Sequence, residues 1–374
     1  MRQDFFAFLP SEIIVDILSR LPILTILGCK FVCKSWLDQL ESSEFADLHL
    51  PQSVPGLAVF QGPELSKPYK IYEFVEEVDL RRSAHFCNVV LEFKFPHFAH
   101  IHSSVNGLLF MYNQDTRSPP SLFVCNPITR DYVTIPPPTE CQLLDHTFGF
   151  GLSKTTDKYK LVKIFRLCSG SAPPDCEVYT IGTRSWRSIA AGTPLKYDGN
   201  IGAFLNGNLH WLAFDSKECP QISCFDVETE LFSILACPPD RPHDLAYFCC
   251  FTVLGDNLCV CDNLEDMIVI WLMKDYGVEK SWTKEYVIKI PSYVRNQLGK
   301  FCGYRFPVKI FEDGDVLIAE EDSSELFCYS NKYKTIREST DPAESCTYGR
   351  ISTVFYTASF LSTKMFVTEE GSSF

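Results

Sequence analysis

Two interleaved series of turns, each returning after about 50 residues, restrict the fold of this chain more than any other feature of its sequence. In the first series a turn of Asn, Asp or Gly separates two apolar runs: "SVNGLLFM" (104–111), "FLNGNLHWL" (204–212), "VLGDNLCVC" (253–261) and "FEDGDVLIA" (311–319). With Gly107, Gly207, Asp256 and Gly314 as markers, the gaps are 100, 49 and 58 residues. The first gap is double the others, so a further turn is expected near 157, where "KTTDKYKLVKIF" (154–165) supplies one. The second series joins one strand to its successor: "VCNPITRDYVTI", "VYTIGTRSWRSI", "CFDVETELFSIL", "IWLMKDYGVEKSW" and "CYSNKYKTIRES". Its centres, near 128, 182, 228, 276 and 331, are 46 to 55 residues apart.

Two turns per period describe a repeated four-stranded unit. Such a sheet cannot cover both of its own faces, but units stacked radially cover one another and leave only short, protected edges. The 324 residues after position 50 hold about six units, and the period fits kelch-like propeller blades. A sandwich pair or an irregular all-β domain is the alternative. Residues 57–100 match the repeat least well, and "ISTVFYTASFL" (351–361) reads as a closing strand.

The first 50 residues have another texture. "LPSEIIVDILSRLP" (9–22) places Ile13, Ile14, Ile17, Leu18 and Leu21 at helical spacing between two prolines. Pro10 suits a helix start because it lacks the N–H that would go unpaired there, and Pro22 stops the helix. Glu12 and Asp16 lie toward the positive end of the helix dipole and Arg20 toward the negative end. A second short segment, "ILTILGCK", follows. A third, "CKFVCKSWLDQLES" (29–42), puts Val32, Trp36 and Leu40 on one helical stripe. A segment of this size cannot bury all its Leu, Ile, Val and Trp internally, so the remainder packs either on the rest of this chain or on another protein.

Composition narrows the function. Hydrophobic residues make up 46% and charged residues 22%, an ordinary globular balance with material for a sizeable core. Aromatics at 14% and 23 prolines favour strands and turns. The net charge of −13 argues against a general nucleic-acid binder, which needs a basic face. The longest strongly apolar run, "MIVIWLM" (267–273), is far below the roughly 20 residues of a membrane span. The 17 cysteines are odd in number, and "MRQDFFAFLP" has no apolar signal core. They are read as free thiols packed as small hydrophobes, with the cytoplasm and/or nucleus as the expected location.

No established catalytic pattern is present: no Gly-x-Ser-x-Gly elbow, no His-Glu-x-x-His, no Walker loop. "FGFGLSK" (148–154) reads as a strand with a close-packed backbone rather than a phosphate loop. His97, His100 and His102, with Cys87 upstream, match no metal site in spacing or order and are read as surface or packed side chains. Cys259 and Cys261 are expected on opposite faces of one strand, and adjacent Cys249 and Cys250 likewise. Acidic runs "FVEEVDL" (74–80) and "LIAEEDSSE" (317–325) are read as solvated loops or strand edges, and Trp186, Trp211 and Trp282 as core. No catalytic residue, metal or cofactor is expected.

"LPSEIIVDILSRLPILTILGCKFVCKSWLDQL" (9–40) closely resembles the F-box, the module by which substrate receptors dock on a Skp-family adaptor in cullin-based ubiquitin ligases. The match carries Leu9-Pro10, Glu12, Ile13-Ile14, Ile17-Leu18, Leu21-Pro22, Leu27, Lys30, Val32-Cys33-Lys34-Ser35-Trp36 and Leu40. "SVNGLL", "LFVCNPITRDYVTIPPP", "FGFGLSKTTDKYKLVKIF", "CEVYTIGTRSWRSI" and "GAFLNGNLHWLAFD" then follow in the order found in plant F-box proteins with an F-box-associated, kelch-like interaction domain. Many relatives carry a basic residue where Gly28 stands and a polar one where Leu24 stands.

The resulting expectation is a small all-α, three-helix F-box (5–50) followed by an all-β propeller of about six kelch-like blades (51–374). The resemblance implies a non-catalytic substrate-recognition subunit of an SCF-type ubiquitin ligase. Its partners would be a Skp-family adaptor, through it cullin and a RING/E2 module, and a target protein of unknown identity. Adaptor binding is expected from Leu9, Pro10, Ile13, Ile14, Ile17, Leu18, Leu21, Pro22, Leu27, Val32 and Trp36, some of which will instead form the head's own core. The alternative is a propeller scaffold or enzyme whose head binds an adaptor outside a ligase.

Overall fold

In the computed structural model the described residues are 9–61, 68–74, 87–113, 121–138, 146–165, 175–190, 192–197, 202–239, 241, 249–264, 266–291, 305–320, 326–338, 351–366 and 371–373. Helices come first: α1 (Ser11–Ser19), α2 (Ile23–Cys29), α3 (Lys34–Leu40) and α4 (Ser43–His49). Among the described residues, the regular elements after them are strands and short 3₁₀ turns.

Pro10 and Pro22 act alike. Each sits at a helix N-cap with extended backbone (ψ 146°), and its carbonyl accepts the first-turn N–H groups, Ile13 and Ile14 for Pro10, Thr25 and Ile26 for Pro22. A single proline thus both ends α1 and opens α2. The sequence reading differs from the structure in two respects. Val32 does not continue the stripe of Trp36 and Leu40, because Cys33 is extended (φ −159°, ψ 164°) and breaks the segment there. A fourth helix, α4, is also present, nucleated by Ser42, whose Oγ accepts the Phe45 N–H at 3.2 Å.

The strands form six antiparallel sheets. Blade 2 is His100–Val105, Leu108–Tyr112, Leu122–Asn126 and Asp131–Ile135, with Gly371–Ser373 added as a fifth strand on its outer edge. Blade 3 runs His146–Ser153, Lys158–Phe165, Asp175–Thr180 and Trp186–Ala190. In blade 4 the first strand is interrupted, Lys196–Tyr197 and Ala203–Leu205 both pairing with Asn208–Phe214 before Pro220–Asp226 and Phe232–Ala236. Blade 5 is Cys249–Leu254, Asn257–Asn263, Met267–Met273 and Trp282–Lys289. Blade 6 is Arg305–Ile310, Val316–Glu320, Leu326–Ser330 and Thr335–Glu338.

Blade 1 explains why residues 57–100 fit the repeat poorly. Its own segment supplies only Pro55–Gln61, Tyr69–Phe74 and Cys87–Phe93, and its first strand is Ile351–Thr357, from the other end of the chain. That strand is the expected ring closure. First strands of neighbouring blades pack on one another, so they line the ring's inner side. Six hydrophobic clusters occupy the six seams between blades, as radial stacking requires, and the one between blades 1 and 2 continues into the core of the head.

The turn series recur with the same backbone. Asn106-Gly107 and Asn206-Gly207 have φ of 51° and 79° in both cases, the twist-matched hairpin turn that glycine permits. The turn expected near 157 is present, with Asp157 at φ 52°. In the second series the last residue of the third strand caps its own turn. Asn126, Asp226 and Ser330 each accept backbone N–H groups through the side chain, and each carbonyl accepts from the residue four on, Arg130, Glu230 and Lys334. Trp186 and Trp282, both opening a fourth strand, donate their indole N–H to Pro136 O and Ala236 O of the preceding blade, at 2.7 and 2.9 Å. These tryptophans are seam fasteners.

Candidate functional site

Helix α1 divides its apolar residues between two sides. Ile14, Val15 and Leu18 point inward with Ile23 and Ile26 of α2, Leu40 of α3 and Phe45 of α4. Leu9, Ile13 and Ile17 remain on the outside, Ile13 with 48% of its surface open. Leu24 is 57% exposed on α2, and in the turn before α3 Val32 is 61% and Phe31 90% exposed. A monomer has no use for so many bare aliphatic and aromatic side chains on so short a stretch, and an unsatisfied apolar surface of this kind marks a binding face.

The eleven residues expected at the adaptor therefore separate by position. Leu9, Pro10, Ile13, Ile17, Pro22 and Val32 are exposed. Leu21, Leu27 and Trp36 are half-buried against the core, and Ile14 and Leu18 lie within it. Leu24 and Phe31 join the exposed group although the sequence reading did not select them. The signal for Phe31 was its place between two helical segments, in a turn too short to fold it under either. Asp16 and Arg20 pair one turn apart on the open side at 2.8 Å, an exposed pair worth little to stability.

On the ring, the three histidines of "PHFAHIH" go separate ways. His97 stacks on Phe123 and meets Tyr132 OH at 3.2 Å; His100 meets the edges of Phe60 and Phe98. His102 is buried among Phe110, Tyr112 and Phe148, and that burial lowers its pKa to about 3. Among the described residues no three His, Cys, Asp or Glu side chains gather as an ion would need. Cys259 and Cys261 correct the sequence reading: two apart on a strand, they share one face, in the seam between blades 5 and 6 with Cys250. Burial raises their thiol pKa, so they are unreactive packing residues. Cys249 and Cys250 do face different seams. Gly149 and Gly151 of "FGFGLSK" permit close packing, since a Cβ on Gly149 would lie 2.6 Å from the Trp211 ring. Of the acidic runs, 75–80 and 321–325 fall outside the described residues, as do residues 5–8 of the head.

The head sits at one face of the ring. With alternating strand directions, first-to-second and third-to-fourth turns share a face, while second-to-third and blade-to-blade connections share the other. Gly107 and the Asn126–Asp131 turn, both of the first kind, touch the segment after the closing strand, and α4 rests on that segment through Phe45 and His49. The strand ends Tyr112, Phe165 and Glu320 lie at the face away from the head.

A family model for the F-box domain matches residues 6–47, and one for the F-box associated beta propeller domain matches residues 66–354, well over half of the chain. The chain belongs to the F-box proteins with an F-box-associated propeller. Among curated proteins it is similar to the F-box protein At3g07870 of Arabidopsis thaliana, 28% identical over 311 residues, 75% of this chain and 72% of that protein. It is also similar to the F-box protein CPR1 of Arabidopsis thaliana, 26% identical over 378 residues, 88% of this chain and 84% of that protein. The solved TolB from Acinetobacter baumannii overlays 84% of this chain and 73% of its own, at 10% identity and TM-score 0.45. Family membership supports a substrate-receptor role in general, and the F-box implies a Skp-type adaptor.

Proposed function

We propose that this F-box protein is the substrate-recognition subunit of an SCF-type ubiquitin ligase. Its head docks on a Skp-family adaptor through Leu9, Ile13, Ile17, Leu24, Phe31 and Val32, with Leu21, Leu27 and Trp36 shaping that surface from below. Ile14 and Leu18 act only by holding α1 in place. The adaptor links the protein to cullin and a RING/E2 module, and the propeller captures a target protein at the face away from the head, through connections between strands. The chain performs no bond chemistry. Its contribution is to raise the local concentration of a target lysine at the E2 thioester. The cytoplasm and/or nucleus is where such an assembly would work.

One observation carries the reading: Leu9, Ile13, Ile17, Leu24, Phe31 and Val32 are left bare by a head whose core, Ile14, Leu18, Ile23, Ile26, Leu40 and Phe45, is packed. The test is co-purification of a Skp-type adaptor with the full chain and with Ile17→Asp combined with Phe31→Asp. Both residues are exposed, so circular dichroism of the double variant should match wild type while adaptor binding falls at least tenfold. Adaptor binding that survives both charges would overturn the assignment. Cullin recovered with wild type but not with the variant would extend the reading to the ligase, and its absence from both would favour an adaptor-bound scaffold.

A further inference from the structure

The closing strand does not end the chain's work at the ring. Beyond Thr357 the residues Ala358–Leu361 run between the blades and the helices, held on both sides. From the ring, the Asn126 side-chain NH2 donates to Ser359 O at 3.0 Å and to Leu361 O at 2.7 Å. Ser359 also lies so close to Gly107 that a Cβ there would meet its Oγ at 2.3 Å. From the head, Phe360 takes the edge of Phe45 at 5.2 Å between ring centres, the edge of His49 at 4.9 Å, and the Lys30 ammonium at 5.8 Å from its centre. Two elements of the head, the end of α2 and successive turns of α4, thus converge on one side chain.

A short relay reinforces the grip. Ser53 Oγ donates to Ala358 O at 2.7 Å, which uses its single proton. The 3.0 Å contact with His49 Nδ1 must then run from the imidazole N–H to Ser53 Oγ. His49 is neutral here, burial having lowered its pKa to about 4. The residues that tie α4 to the ring and the closing strand that pairs with Pro55–Gln61 are therefore consecutive in the chain.

We propose that Phe360 is a positioning residue, through which the segment after the closing strand fixes the helical head at one angle to the propeller. Closing the ring and aiming the head thus rest on one continuous stretch of chain, 351–361. If the receptor role holds, the consequence is a fixed span between the adaptor face and the target face, but the geometric claim stands apart from that role.

Two fluorescent amino acids incorporated at exposed Asp38 on α3 and Asp256 on blade 5 would report the head-to-ring distance distribution in the full chain. Wild type should give one narrow distribution, and Phe360→Ala one at least twice as broad. Phe360→Leu, which keeps apolar volume without the ring, should fall between. Hydrogen exchange at 351–357 should stay within threefold of wild type in Phe360→Leu, showing the ring closed. Adaptor affinity, measured on the same samples, should change less than threefold, so loss of adaptor binding by wild type would count against the receptor reading alone. Distributions as narrow as wild type in both variants would overturn the proposal. So would opening of 351–357 in both, which would make Phe360 an ordinary core residue of the ring.

Discussion

The head and the ring use apolar residues in opposite ways. In the ring, each face of each blade is covered by the next blade, and buried side chains fill six seams. In the head, packing is one-sided: Ile14, Leu18, Ile26 and Leu40 are enclosed, while Ile13, Ile17, Leu24, Phe31 and Val32 are bare. Seven of the 17 exposed large hydrophobic side chains among the described residues lie between Leu9 and Leu48. A closed ring can satisfy itself because its repeat supplies the missing face. Four short helices cannot, and the same burden of apolar surface becomes an invitation to a partner. Substitutions should therefore act on stability in the ring and on binding in the head.

The largest effect on stability is expected at Trp211. Its side chain is fully buried in the seam between blades 3 and 4, donates its indole N–H to Phe148 O at 3.3 Å, and fills space left by Gly149 and Gly202. Trp211→Ala should cost about 3–5 kcal/mol, the range for removing a large aromatic from a packed core. Denaturant unfolding of the full chain measures it. A loss below about 1 kcal/mol would mean that the seams tolerate cavities, and the contrast with the head would weaken.

How much of this was legible in advance follows the same division. The ring announced itself because its turns need particular chemistry: Asn-Gly where φ is positive at two consecutive residues, and Asn, Asp or Ser where a strand's last side chain caps a turn. The run 351–361 was readable as a closing strand, and its first seven residues, Ile351–Thr357, form it. The face relation of Cys259 and Cys261 was misjudged, although a period of two settles it. In the head, the helices were visible but the partition of α1 was not. Ile13 and Ile14 are the same residue type side by side, and only the position of α4 decides which is enclosed. That helix was itself overlooked, because "SEFADLH" has little apolar periodicity and depends on Phe45 finding Phe360, more than 300 residues away.

A second expected effect, somewhat smaller, is the dependence of the ring on pH. His102 and His210 are held neutral by burial, with pKa values lowered to about 3 and about 4. Unfolding releases both to the ordinary value of about 6.5, so between there and 4 the unfolded chain binds more protons than the folded one. Stability is full above 6.5 and falls as pH drops through that window. In His102→Leu, which keeps an apolar group against Phe110 and Phe148, the loss between pH 6.5 and 4 should shrink by about 3 kcal/mol. Urea midpoints at a series of pH values test this, and an unchanged slope would show that His102 takes up a proton without unfolding.

The smallest effect is expected in the head, at Ser42. Its hydroxyl donates to Gln39 O at 2.7 Å and accepts the Phe45 N–H at 3.2 Å, so one side chain finishes α3 and starts α4. Ser42→Ala should cost about 1 kcal/mol, the usual worth of an N-cap. The location of that loss matters more than its size. If head and ring are stabilised separately, hydrogen exchange should quicken by about fivefold at 43–49 and stay unchanged in the strands of blades 3 to 5, since 1 kcal/mol is roughly that factor in a local opening equilibrium. Because α4 carries Phe45 and His49 onto Phe360, part of the change should also reach 353–360. Uniform acceleration across all six blades would erase the distinction between the two regions, for it would mean that the helices and the ring open only together.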